Sequence, residues 1–261
     1  MLKITATNEY GASLQVTQNS LFRTVAAGLN PPPAAIFTAE LATKDGSIYN
    51  GSKVQNRNII LTIYPAGPDV AAARLELYRL FKVSKYIRLQ IETGARTCTA
   101  VGYVEDMPSE YDTTAQNFPV SIICPDPFLV AIAETTAAVP TAGTAETVNN
   151  GGDFATGAEF TITATGACSG LTFTNATTGQ TFGVNVTLAA GDKLALTTTQ
   201  GAKSLILTRS GQQPQNALNL MTAGSVWPIL RPGANSIAFN AASGGANAGM
   251  TVKFSALYGG I

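Results

Sequence analysis

The sequence predicts a mainly β protein with one helix, built as two halves. Short runs of β-favouring residues separated by turn-formers recur along all 261 residues. Only residues 68–83 carry apolar side chains at helical spacing: Val70, Ala73, Leu77, Leu80 and Phe81. The charge density also changes midway. Up to Ala133 there are eleven Lys/Arg and eleven Asp/Glu, whereas the remaining 128 residues carry five of each. Residues 134–152, ETTAAVPTAGTAETVNNGG, hold small and turn-forming residues in place of apolar alternation and read as a linker between a domain at 1–133 and one at 153–261.

In the first half the β runs are Leu2 to Ala6, Ser13 to Thr17, Leu21 to Ala26, Ala35 to Leu41, Asn58 to Tyr64, Tyr86 to Glu92, Cys98 to Glu105 and Asn117 to Cys124. Gly67-Pro68-Asp69 opens the helix with a capping position, a proline suited to its first turn and an acid at the positive end of the dipole. Arg74, Arg79, Lys82, Lys85 and Arg88 gather on and after this helix. They read either as cations complementing the negative helix end or as an intersubunit or pore-lining patch. The second half reads as all β. Its runs are Glu159 to Ala164, Gly170 to Thr174, Thr181 to Leu188, Lys193 to Thr197, Ser204 to Thr208, Ser236 to Asn240 and Met250 to Leu257. Seven such strands suit a sandwich, though a barrel could close from the same composition.

Composition excludes several classes of function. Sixteen basic and sixteen acidic residues leave zero formal charge, so no global attraction draws nucleic acid or an anionic membrane. Charged residues are 12% of the chain against a usual value of about 25%, and a surface built from Thr, Ser, Asn, Gln, Gly and Ala suits subunit packing. The absence of histidine removes Ser-His-Asp and Cys-His nucleophile arrangements and most transition-metal sites. No phosphate-cradling glycine loop or twelve-residue calcium loop is present, so no cofactor or metal is expected. Cys98, Cys124 and Cys168 are too scattered for a disulfide scaffold or zinc ribbon and read as small core residues. The start of the chain resembles no secretory leader, and no run of eighteen apolar residues occurs, which points to cytosolic synthesis of a soluble protein.

Two features leave chemistry open. Glu105, Asp106, Glu110 and Asp112 form the one acid cluster a hydrolase of polysaccharide could use, although acids flanking Pro108 in a turn are ordinarily solvated. Trp227, the sole tryptophan, could stack on a sugar in a lectin-like or adhesin-like protein, or fill core among Val226, Pro228, Ile229 and Leu230.

Several motifs, in this order, carry a family resemblance. They are Leu29-Asn30-Pro31-Pro32-Pro33, Asp45-Gly46-Ser47, Arg57-Asn58-Ile59-Ile60-Leu61, Val101-Gly102-Tyr103-Val104-Glu105 and Cys124-Pro125-Asp126-Pro127-Phe128 in the first half. Asn150-Gly151-Gly152-Asp153, Thr174-Asn175-Ala176-Thr177-Thr178-Gly179, Ala190-Gly191-Asp192, Leu230-Arg231-Pro232-Gly233-Ala234-Asn235 and Tyr258-Gly259-Gly260-Ile261 follow in the second. In this order the chain resembles the distal tail proteins of siphophages over nearly its full length. The resemblance implies a small β barrel with one helix that closes as a homohexameric ring, and a galectin-like β sandwich projecting from it. It also implies a structural, non-enzymatic virion protein of the tail tip or baseplate, made in the host bacterial cytoplasm. Its implied partners are itself, the tail tube protein, the tail-tip or hub protein and receptor-binding or other baseplate proteins, with no stable nucleic-acid binding and no membrane. No extra domain interrupts the sandwich, which implies the compact form of the family. Unpaired strand edges are natural interfaces, and by fold analogy the strands around Ile59, Leu61 and Ile63 and around Val101 and Tyr103 are the expected ones.

Overall fold

The computed structural model describes residues 1–17, 21–67, 69–108 and 117–261. The protein is mainly β with one α-helix, and it divides into two compact units: Met1–Ile132 with Tyr258–Ile261, and Ala133–Leu257.

The first unit contains β1 (Lys3–Asn8), β2 (Ser13–Gln15), β3 (Phe22–Ala27), β4 (Ala34–Leu41), β5 (Lys44–Val54), β6 (Arg57–Pro65), α1 (Val70–Leu80), β7 (Tyr86–Glu92), β8 (Thr97–Asp106), β9 (Phe118–Cys124) and the start of β10 (Leu129–Val139). Antiparallel ladders order them β2-β1-β7-β8-β9-β6-β3. The ends of this sheet meet where the Thr24 hydroxyl donates to the Val16 carbonyl. Among the described residues no ladder joins β2 to β3, and the ends of the expected small barrel come together at this bond, Val16 lying just past β2. Side chains alternate across the sheet. One face of the sheet sends Ile4, Ala6, Ile59, Leu61, Ile63, Ile87, Leu89, Ile91, Phe118, Val120 and Ile122 into a single core, which Leu77, Leu80 and Phe81 cap from the helix side. Gly102 takes an inward position on β8 because a Cβ there would lie 2.7 Å from both the Ile122 side chain and the Ile123 carbonyl oxygen.

Helix α1 starts as its sequence dictates. Asp69 is the N-cap, its carboxylate accepting from the Ala72 N–H at 2.9 Å. Pro68 lies outside the described residues. The apolar stripe buries Leu77 and Leu80 within the helix and Phe81 just after it.

The second unit is a sandwich of two antiparallel sheets around one core. Its strands are β11 (Glu146–Asn150), β12 (Glu159–Ala164), β13 (Cys168–Asn175), β14 (Gln180–Leu188), β15 (Lys193–Thr197), β16 (Ser204–Thr208), β17 (Gln215–Asn216), β18 (Gly233–Ser243) and β19 (Ala248–Tyr258). One sheet runs β11-β18-β13-β14 and the other β17-β16-β15-β12-β19. Phe160, Phe173, Phe182 and Phe239 meet in the core between them. The turns at Thr178-Gly179 and Ala190-Gly191-Asp192 fall between consecutive strands as expected, with Gly179 and Gly191 at positive φ.

Two expectations about chain organisation need correcting. Residues 134–152 are not a structureless linker, because they include the end of β10 and all of β11, whose ladder with β18 supplies the hydrogen bonds that its polar residues do not advertise. Tyr258-Gly259-Gly260-Ile261 belongs to the first unit and not to the sandwich.

Candidate subunit interface

The outward face of the first unit's sheet is a surface of apolar and aromatic side chains interleaved with small polar ones. Its composition follows from the same period of two that fills the core. On β6, Asn58, Ile60 and Tyr64 point out while Ile59, Leu61 and Ile63 are fully buried. The expectation that Ile59, Leu61 and Ile63 form an interface is thus overturned. They face the core, and β6 is no edge, since β3 pairs one side of it and β9 the other. The strand holding Val101 and Tyr103 is also internal, paired with β7 and β9. Val101 and Tyr103 themselves point outward, 38% and 48% exposed. Tyr103 meets Tyr86 edge-on at 6.4 Å between ring centroids. Nearby the Ser121 hydroxyl lies 2.8 Å from the Glu105 carboxylate and 3.1 Å from the Asn58 amide oxygen.

Of a larger feature the sequence predicts only the first strand, Ala35 to Leu41. β4 and β5 form a hairpin that pairs with no other described strand. Its register places Phe37 opposite Gly51 and Ala39 opposite Ile48, so Phe37, Ala39, Leu41 and Ile48 share one face. Ile36 and Tyr49 lie on the other. Ile36, Phe37, Leu41, Ile48 and Tyr49 are all exposed, from 45% at Ile48 to 62% at Tyr49. An isolated two-stranded hairpin is marginal in water, and exposed contiguous apolar surface marks an interaction site. For the second strand the one signal is Asp45-Gly46, a turn-forming pair just inside β5.

The remaining candidates are accounted for locally. The basic residues around α1 are largely occupied: Arg74 is buried with its guanidinium 5.0 Å from the Phe118 ring, Lys82 sits 4.7 Å over Tyr10, and Lys85 pairs with Glu9 at 3.6 Å. Of the acid cluster, Glu105 accepts from Ser121 and Asp106 accepts from the Met107 N–H at 2.7 Å, whereas Glu110 and Asp112 lie outside the described residues. Cys98, Cys124 and Cys168 are free and buried, and burial pushes the thiols of Cys98 and Cys124 up to about 11, far from a nucleophile's range. Among the described residues no group of three His, Cys, Asp or Glu could hold a metal ion. Trp227 is half-buried against the sandwich core, its ring 4.7 Å from Phe182 and 5.5 Å from the Lys203 ammonium.

Comparison with known proteins places the second unit. Residues 151–258 match the family model for the siphovirus-type tail component, C-terminal domain. No curated protein matches the sequence. Among solved structures, the SPP1 Dit protein, described as a paradigm of the hub adsorption apparatus in phages infecting Gram-positive bacteria, superposes with a TM-score of 0.72 at 14% identity, over 97% of this chain and 98% of that one. At that identity the likeness is one of fold. A chain of the phage P2 baseplate in its activated conformation with Ca gives a TM-score of 0.47 at 9% identity, over 97% and 98%.

Within the second unit, buried asparagines explain three of the motifs. The Asn150 amide donates to the Phe154 and Leu230 carbonyls and its oxygen accepts from Gly152. Asn175 donates to Ile229 and to the Asn235 side chain, and Asn235 spans the turn by donating to Arg231 and Gly233 and accepting from the Arg231 N–H. These three amides satisfy carbonyls of the irregular segment 228–232 and that of Gly233, where β18 begins.

Proposed function

We propose that this protein is a distal tail protein of a siphophage-type tail, a structural subunit of a homohexameric ring that joins the tail tube to the baseplate. The reading is supported by the tail-component domain at 151–258 and the Dit-like fold of the whole chain. The observation that carries ring formation is the β4–β5 hairpin: an apolar face of Phe37, Ala39, Leu41 and Ile48 that its own chain leaves uncovered. Laid on the neighbouring copy, and repeated in one rotational sense, such a head-to-tail contact closes into a ring. The outward face carrying Val101, Tyr103 and Ile60 is the receiving surface. The sandwich then docks receptor-binding or other baseplate proteins, and the tail-tip protein continues the axis. A neutral chain suits a conduit for DNA, since a cationic lining would bind the passing phosphates. The role needs neither cofactor nor catalysis, and it places the protein in the virion after synthesis in the host cytoplasm.

The test is a double substitution, Phe37→Asp with Ile48→Asp, at exposed positions where neither change opens the core. Solution mass falls from that of a ring to that of one chain while the melting profile is retained. A ring that persists in the double variant rules out the hairpin as the joint.

A further inference from the structure

The first unit is completed by residues that arrive last along the sequence given. Residues 258–261 lie among elements formed by residues 1–132, and two arginines receive them. Arg57, 1% exposed, donates through Nη2 to the Gly259 carbonyl at 2.5 Å. Its Nη1 donates to Gly28 and Asn30 at 2.6 and 2.8 Å, and its Nε to Pro127 at 2.7 Å. Arg96 donates to the Gly260 carbonyl at 2.6 Å, and its guanidinium lies 4.3 Å from the Tyr258 ring centroid. The Ile261 N–H reaches the Leu29 carbonyl at 3.3 Å. Gly260 fits because a Cβ would come within 3.0 Å of the Leu29 carbonyl oxygen and 3.2 Å of the Pro31 ring.

We infer that the first unit contains a peptide-docking groove, floored by Leu29–Pro31 and gripped by Arg57 and Arg96, whose occupant is residues 258–261 of this chain. Its occupancy is a checkpoint: the ring-forming unit is complete only when the sandwich has been made and the chain has returned. The physical ground is Arg57. A buried guanidinium needs an acceptor for each direction of its fork, and without Gly259 one N–H direction faces protein with no partner. Arg57 precedes Gly259 by 202 positions, so during synthesis the groove waits for its occupant. A partial chain then presents an empty groove and is not drawn into a ring it would poison. The groove stands on its own contacts, and the checkpoint rests on the ring reading above.

The experiment compares the full chain with Gly260→Val, Arg96→Met and a chain ended at Leu257, the last with and without a synthetic peptide of residues 254–261. Hydrogen exchange of β6 and β7 amides reports the first unit, β12 and β13 amides report the second, and light scattering reports assembly. In Gly260→Val and in the shortened chain, protection of β6 and β7 falls by roughly tenfold or more, β12 and β13 hold, and assembly is lost. The peptide restores the shortened chain, and Arg96→Met gives a smaller loss of the same pattern. Unchanged β6 and β7 protection in Gly260→Val and in the shortened chain overturns the groove. If protection falls as described but the unaltered chain is itself a single copy, the groove stands and the ring reading fails.

Discussion

Arg57 and Gly259 are hydrogen-bonded across 202 positions of sequence, the guanidinium Nη2 to carbonyl oxygen distance being 2.5 Å. Burial pulls the Arg57 pKa down from its ordinary value, and the four carbonyl oxygens around the fork stabilise the charged form in compensation. No carboxylate hydrogen-bonds to Arg57 among the described residues. The bond is made by shape: a planar fork with donors on several sides meets carbonyls from separate turns.

Lysine should therefore not substitute for Arg57. Arg57→Lys keeps the charge but offers one ammonium where four carbonyls must be reached, and it should destabilise the first unit by about 2–4 kcal/mol. Urea unfolding followed by probes in each unit measures this, with the second unit's transition unmoved.

The three thiols should be silent in the native protein. Burial raises Cys98 and Cys124 to about 11 and shifts Cys168 upward as well. A thiol-reactive chromophore at pH 8 should label none of them natively and all three in denaturant. Prompt native labelling would mean that one lies in an opening the fold does not have.

Asp192 makes the second unit sensitive to acid. Its carboxylate accepts from the Ala189 and Ser210 N–H groups and from Arg209 at 2.6 Å, and these bonds lower its pKa, the Ala189 bond most of all. A carboxylate lowered on folding contributes stability above its unfolded pKa and loses it as pH falls through the folded value. Second-unit stability should drop below the ordinary aspartate range, and Asp192→Asn should show a flatter acid limb with lower stability at neutral pH.

Trp227→Ala should act on stability and not on sugar binding. The ring packs on Phe182 beside the sandwich core, so its loss should cost about 2–3 kcal/mol, less than a fully buried tryptophan. As the sole tryptophan it also reports the packing, with blue-shifted emission that moves red on unfolding. Glycan-array binding abolished by this change with stability intact would reverse the assignment.

The sequence displays what depends on local pattern and hides what depends on partners. The alternation Asn58, Ile60, Thr62, Tyr64 against Ile59, Leu61, Ile63 marks both the strand and its inward face, and attending to Asn58 and Thr62 would have turned Ile59 away from any interface. Asp69 signals the helix start because an N-cap is a local device. β5 and β11 are illegible in the sequence, since Asp45, Gly46, Asn50, Gly51 and Asn149 are poor strand formers held in place by their ladders. Nor does the sequence mark Arg57 as the receiver of Gly259, because a bond to a backbone carbonyl demands no particular side chain on the other side.

Solution mass of the full chain by light scattering tests the central claim most directly. A ring of six copies of 27.0 kDa gives roughly 162 kDa, and the Phe37→Asp, Ile48→Asp variant gives a single chain. A full chain that stays at 27.0 kDa at high concentration contradicts the account.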